Sequence, residues 1–253
     1  MKFSFIRVVL VFVGIFAIYS CGSRKEIVYF QNIDSTASYD GSKNYEAKLQ
    51  PDDLLSIIVS ADSPEVTTPF NLPDFEGNDA ANRGFKTYLI DSEGFIDFPI
   101  LRKQKLGGLT RTEAHAKLVA AISEYINNPT INLRIVNYKV SVLGEVARPN
   151  SYTISGERIT VLEALSMAGD LTIYGKRENV LVIREIEGKK TFARLDLTKS
   201  DILNSPFYYL GQNDVVFVEQ NKTRINSSKI GPDVGVILSA VSILITLGVL
   251  LTR

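Results

Sequence analysis

The chain has one cysteine, Cys21, and one histidine, His115, among 253 residues, which excludes a metal centre built from clustered histidines and cysteines. It has no excess charge of either sign, since 28 lysines and arginines face 28 aspartates and glutamates. With no basic tract, the phosphate backbone of a nucleic acid finds no electrostatic landing site. Catalytic signatures are missing as well: there is no G-x-S-x-G, no glycine-rich phosphate loop and no HExxH. His115 lies one step off the apolar stripe of a predicted helix and reads as solvated or internally satisfied. Asp52 with Asp53, and Glu93 with Asp97, invite comparison with the two carboxyls of a glycosidase, which stand about 5–10 Å apart. Adjacent residues of a strand point to opposite faces, however, and the second pair flanks a predicted turn, where acids are common. The expectation is a protein that is not an enzyme and uses neither cofactor nor metal.

What is present is a folded composition, 45% apolar and 22% charged, bounded by an apolar segment near each end. Two small domains fit this length as well as one large one. Lys2 and Arg7 precede an apolar run from Val8 to Ile18, the size of a signal-peptide core and short for a bilayer span. The run ends in "IYSCGS", which resembles a bacterial lipoprotein signal and makes Cys21 the candidate lipidation site. Acyl chains, at about 0.8 kcal/mol per buried methylene, would fasten such a chain to membrane lipid. The second segment, Val234 to Leu251, is uncharged and as a helix rises about 27 Å, enough to cross a bilayer core. Gly235, Ser239, Ser242 and Thr246 recur along it at steps of four, three and four, so they share one stripe. A small, weakly polar stripe either lets helices pack closely or faces a water-filled lumen.

Residues 22–45 are polar and without periodicity, a tether with one short strand predicted at Ile27–Phe30. The body is mostly strands. Leu55, Ile57 and Val59 alternate with polar residues, as do Ile131, Leu133 and Ile135, and Val140 and Val142. "DSEG" (91–94) and "EGKK" (187–190) each lie between apolar runs and are read as hairpin turns. Thr110 with Glu113, and Thr160 with Glu163, form the capping-box pattern and start two helices. The predicted inward stripes are Ala114, Leu118, Ala121 and Tyr125 in the first helix and Leu162, Leu165 and Ala168 in the second, which ends at Gly169. "LQPDD" (49–53) and "LGQND" (210–214) echo each other, each running directly into an apolar strand. Asp53 and Asp214 are the structural turn residues of this echo, with carboxylates suited to accept freed backbone N–H groups. The fold class is α+β: two small mixed sheet-plus-helix modules followed by a transmembrane helix.

From "YEAKLQPDDLLSIIVSA" through "GFIDFPILRKQKLGGLTRTEAHAKLVAAISEYINNPTINLRIVNY" to "VLGEVARPNSYTISGERITVLEALSMAGDLTIYGKRENVLVIRE", the chain resembles the bacterial outer-membrane polysaccharide export proteins, the Wza-like auxiliary family. The marks include Gly144, Val146, Pro149, Tyr152, Gly169 and Arg184. Asp52, Asn150 and Asp170 stand where that family usually has glycine, and Asn and Asp tolerate left-handed backbone better than most residues. The resemblance implies a signal peptide over 1–20, a lipidated tether over 21–45 and an export domain over 46–138. A soluble-ligand-binding β-grasp domain follows over 139–220, then a linker over 221–233 and a transmembrane helix over 234–253. It further implies a homo-oligomeric ring in the outer membrane whose C-terminal helices enclose a pore lined by Gly235, Ser239, Ser242 and Thr246. The soluble modules would stand in the periplasm. The implied partners are an exported capsular or extracellular polysaccharide chain, an inner-membrane chain-length or co-polymerase protein and membrane lipid, with no nucleic acid. The rival reading is a non-conducting lipoprotein adaptor that binds glycan or peptidoglycan through the β-grasp domain.

Overall fold

The computed structural model of the protein describes residues 27–33, 46–72, 87–186, 188–229 and 232–251. The first module is built on β1 (Leu54–Ser60), flanked antiparallel by β2 (Thr87–Leu89) and β5 (Thr130–Ile135). The alternation of β1 buries Leu55, Ile57 and Val59. A short helix α1 (Pro64–Thr67) and a 3-10 turn (Thr68–Phe70) follow, and β3 (Phe95–Phe98) pairs with β4 (Arg102–Lys105) as a separate ribbon. "DSEG" is therefore a turn but not a hairpin. Asp91 Oδ1 accepts Glu93 N and Phe95 N, while the flanking strands pair elsewhere, β2 with β1 and β3 with β4.

Helix α2 (Arg111–Ser123) opens with the reciprocal cap expected of it, Thr110 accepting from Glu113 N and Glu113 from Thr110 N. Its buried face is Ala114, Leu118 and Ile122, continued by Ile126. Tyr125 is 59% exposed, so the predicted stripe slips by one residue in its second half. Both stripes obey helical spacing; the run 114, 118, 122, 126 places aliphatics against Ile131 and Leu133 in the core.

In the second module five strands lie in the order β10–β9–β12–β6–β7: β6 (Lys139–Gly144), β7 (Asn150–Thr153), β9 (Gly175–Ile186), β10 (Lys189–Leu195) and β12 (Val215–Gln220). The central pair, β12 with β6, is parallel and the rest are antiparallel. A second ribbon joins β8 (Ile159–Thr160) to β11 (Tyr209–Leu210). "EGKK" does turn a hairpin, with Lys189 opposite Ile186 and Gly188 at φ 72°. Gly144, at φ 91°, lies so close to β12 that a Cβ there would stand 2.1 Å from Val218 O. Helix α3 (Val161–Met167) carries the second capping box and buries Val161, Ala164 and Leu165, with Ala168 just beyond. Leu162, expected inward, is only partly covered. Both modules are sheet plus helix, so the α+β class holds.

The echoed pentapeptides fold into the same turn. Asp53 N donates to Gln50 O, Asp52 takes φ 69°, and Asp53 Oδ2 accepts Gln50 N at 2.8 Å. Asp214 N donates to Gly211 O, Asn213 takes φ 63°, and Asp214 Oδ2 accepts Gly211 N at 2.7 Å. A positive φ at the third position is what the turn demands, and Asp and Asn supply it in place of glycine. Both carboxylates are 1% exposed. Asp214 is met by Arg184, whose Nη2 stands 2.7 Å from Oδ2 and whose Nε lies 3.0 and 3.1 Å from the two oxygens. Even so, burial raises the Asp214 pKa more than the arginine lowers it. Asp53 meets no arginine, and its Oδ1 is buried without a hydrogen-bond partner. Burial pushes its carboxyl up to about 6, against the Gln50 N–H, and the neighbouring Asp52 charge adds to the rise.

After β12 come α4 (Lys222–Lys229) and α5 (Pro232–Leu251), the latter a continuous helix of 20 residues. The side chains of Ile237, Leu238, Ile245 and both ends of α5 lie outside the described residues. Among the described residues no helix is long and apolar enough to cross a membrane. Where a helix was expected over 234–253 one is present from Pro232 to Leu251, residues 252 and 253 lying outside the described residues, and its transmembrane character rests on the sequence.

Two stability predictions follow from the turn carboxylates. Arg184→Ala leaves a buried unpaired carboxylate and should cost about 3–5 kcal/mol, read as a lower urea midpoint. Replacing Arg184 and Asp214 together by apolar residues should cost less than that. For Asp53 the folded pKa lies above the unfolded one. Its contribution is therefore lost as pH rises through about 6, and stability from this group grows on acidification from about pH 7 to about pH 4, on the order of 2 kcal/mol. Asp53→Asn abolishes that titration, so urea midpoints should move in favour of wild type as pH falls. A pH-independent gap would mean that Asp53 stays ionised.

Candidate functional site

The two modules meet at the short link around Asn137, and a groove of about 680 Å3 opens beside it. Arg111 and Arg134 line one wall, Tyr138, Glu157 and Arg158 the other. Arg111 Nη2 reaches Glu157 Oε2 across the junction at 3.0 Å, an exposed pair of small energetic weight. At the groove's edge Glu46 Oε1 accepts both the N–H and the hydroxyl of Thr112 at 2.7 Å. Arg158 lies over the Tyr209 ring at 5.2 Å. These groups can hydrogen-bond a polar ligand, but they include no nucleophile held by a base.

The carboxylate pairs weighed from sequence do not converge. Asp53 is buried and Asp52 exposed on its turn, and Glu93 and Asp97 are both exposed. His115 is half-buried with Nε2 3.1 Å from Ile131 O. Among the described residues there is no group of His, Cys, Asp and Glu able to hold a metal ion.

On α5 the stripe residues Gly235, Ser239, Ser242 and Thr246 are all exposed. So are apolar positions around the same helix, among them Val236, Ile243 and Leu244, and exposure alone does not single out the stripe. Two of its hydroxyls are already spent: Ser239 Oγ donates to Gly235 O and Thr246 Oγ1 to Ser242 O, each at 2.8 Å. Back-bonding of this kind satisfies a hydroxyl without a neighbouring helix. Cys21 lies outside the described residues.

A second concave region lies where residues 27–33 meet the second module. Residues 27–33 form turns rather than the expected strand, with Phe30 at φ 51°, and they are strapped to the second module instead of running free. Phe30 N donates to Leu197 O, Gln31 N to Thr198 O, and Ser200 N to Asn32 Oδ1. Tyr29 OH donates to Asp170 Oδ1 at 2.5 Å, and the Arg177 guanidinium lies 5.5 Å from its ring. Burial and then the Asp170 carboxylate push the Tyr29 phenol far above its ordinary range. A cavity of about 460 Å3 separates this strap from α3, bounded by Tyr29, Phe30, Leu162, Leu165 and Asp170. The one available sequence signal was the cluster "IVYF" inside a polar stretch, which asks to be covered.

Comparison with known proteins is consistent with this two-module plan. Residues 41–136 match the family described as polysaccharide biosynthesis/export protein, and residues 138–218 match the SLBB domain. The chain is 26% identical over 180 residues to the EPS I polysaccharide export outer membrane protein EpsA of Ralstonia solanacearum, covering 66% of this chain and 46% of the relative. To the protein of the same name from Ralstonia nicotianae it is 27% identical over 183 residues, covering 67% and 46%. The chain thus spans about half the length of the curated relatives it matches. With an export module running directly into an SLBB module, it belongs to the Wza-like polysaccharide export protein family.

Proposed function

We propose that the protein is a subunit of a ring-forming outer-membrane channel that exports capsular or extracellular polysaccharide, lipid-anchored at Cys21, with its two modules in the periplasm. The observation that carries this reading is the order of parts: export module, SLBB module, then an apolar helix with a stripe of small residues. It is supported by relatives named as polysaccharide export outer membrane proteins. In this reading α5 spans the outer membrane. One helix cannot enclose a pore, so several copies must stand side by side; about eight at roughly 10 Å spacing would leave a lumen on the order of 15 Å.

Association between copies has a surface to draw on. The sheet face away from α3 exposes Phe192 (62%), Leu143 (44%) and Phe217 (37%), with Phe217 opposite both Leu143 and Leu181 and Phe192 opposite Ile183. A contiguous apolar face rimmed by Arg194, Glu219 and Lys176 has the anatomy of an interface. The protein would provide passage without making bonds. Its other partners would be the polymer and an inner-membrane chain-length or co-polymerase protein.

Ser242→Cys tests the lumen. In outer-membrane vesicles this thiol should react with a membrane-impermeant maleimide, whereas Leu244→Cys should not. The Thr246 hydrogen bond to Ser242 uses the backbone oxygen and survives the change. Ser239→Phe should block surface polysaccharide while leaving the protein assembled. Normal export in that variant, with an unreactive thiol at 242, would favour the adaptor reading.

A further inference from the structure

Two chain segments, the strap at residues 27–33 and the stretch that follows β12, are tied to one loop of the SLBB module, residues 170–175. On the N-terminal side Tyr29 donates to Asp170, and Arg177, stacked on Tyr29, donates to Leu171 O, Thr172 O and Gly175 O. On the C-terminal side Asn221 N donates to Tyr174 O at 2.7 Å, and Arg224 lies over the Tyr174 ring at 5.5 Å. Arg224 Nε also stands 3.8 Å from Glu145 Oε2, while Glu145 Oε1 accepts the Thr172 hydroxyl at 2.7 Å. The loop is braced further by the Val146–Leu171 bridge and by Thr172 Oγ1, which accepts Tyr174 N. On this braced loop Ile173 is 58% exposed and Tyr174 37%, and Ile225 on α4 is 42% exposed.

A rigid loop that holds an isoleucine and a tyrosine out of the core is presenting them to something. Its place in the chain indicates what. Helix α4 ends at Lys229 and α5 begins at Pro232, and the eight residues of α4 rise only about 12 Å. Lys222 and Arg224 are exposed on α4; of the acids around the loop, Glu145 pairs with Arg224, Asp170 accepts from Tyr29, and Glu219 pairs with Lys176 and Arg194. An aliphatic and a tyrosine beside the exposed Lys222, one short helix from an apolar helix, match the lipid–water boundary.

We propose that Ile173 and Tyr174 insert into the headgroup–acyl boundary of the membrane that α5 enters, with Lys222 against lipid phosphates. The proposal rests on the reading of α5 as membrane-spanning. In that reading the loop fixes the height and tilt of the SLBB module over the bilayer, and an acylated Cys21, eight residues before Tyr29, pulls on the same end within about 28 Å of extended chain.

The protein has no tryptophan, so a single introduced one reports its own depth. Ile173→Trp, Tyr174→Trp, Leu244→Trp and Tyr125→Trp are each made in the full-length chain. They are then reconstituted in phosphatidylethanolamine–phosphatidylglycerol vesicles with and without brominated acyl chains. Tryptophan at 173 or 174 should be quenched about two-fold, as for a ring seated about 5–10 Å into the boundary, and tryptophan at 125 should not be quenched. Quenching at 244 with none at 173 and 174 would overturn the loop contact while leaving the spanning helix intact. No quenching at 244 would remove the spanning reading and this proposal with it. Shielding of 173 and 174 from aqueous acrylamide without bromine quenching would place them against a second copy, which also overturns it.

Discussion

The two modules hinge on Asn137. Its amide Nδ2 donates to Asp52 O and its Oδ1 accepts Leu54 N, so it grips the turn that starts β1. Its own backbone oxygen accepts Gln212 Nε2, and Gln212 Oε1 accepts Lys139 N, so the turn that starts β12 grips the same residue. Tyr138, next in the chain, sends its hydroxyl 2.6 Å to Leu210 O. The echoed turns are thus more than similar; they are the two jaws of one clamp. Ile135 packs against both cores at the same place. Each jaw is closed by an aspartate that is sealed from water, and a displaced jaw would leave that carboxylate and several backbone groups unpaired.

The jaws differ in how they carry that charge. Arg184 compensates Asp214 and also holds Tyr209 O at 2.7 Å and the Phe207 ring at 4.8 Å, so it ties β9 to the ribbon strand β11. Asp53 has a single backbone donor, Gln50 N, and one oxygen without a partner. Desolvation then falls on the proton equilibrium rather than on a partner. At the SLBB jaw a guanidinium opposes the effect of burial on the carboxyl, and at the export jaw no cation does.

How much of this was readable beforehand depends on the range of the interaction. Capping boxes at Thr110/Glu113 and Thr160/Glu163, the 187–190 hairpin and the alternation of β1 are written within a few residues, and each formed as expected. The 91–94 turn misled because a turn does not say which strand its arms will pair with; β1 was already competing for β2. The second half of the α2 stripe slipped because Ala121 and Tyr125 satisfy helical spacing as well as Ile122 and Ile126 do, and only the facing strand decides. The Tyr29 strap was not readable, since Asp170 lies 141 residues away. The family itself, by contrast, was legible in the ordered run of turn and cap residues.

The stripe on α5 carries its own argument about passage. In Ser239 and Thr246 the hydroxyl proton is committed to a carbonyl one turn back, and that carbonyl belongs to another stripe residue, Gly235 or Ser242. Two of the three stripe hydroxyls thus close their donors internally. In lipid a back-bonded hydroxyl carries little penalty, because its donor is already satisfied. Facing a lumen, the stripe would offer sugar hydroxyls weakly polar, uncharged contacts at about one-turn intervals. The small size of these residues suits close approach of a neighbouring helix, and the back-bonded hydroxyls need no partner from it, so close packing and an uncharged open face place the same demand on this sequence.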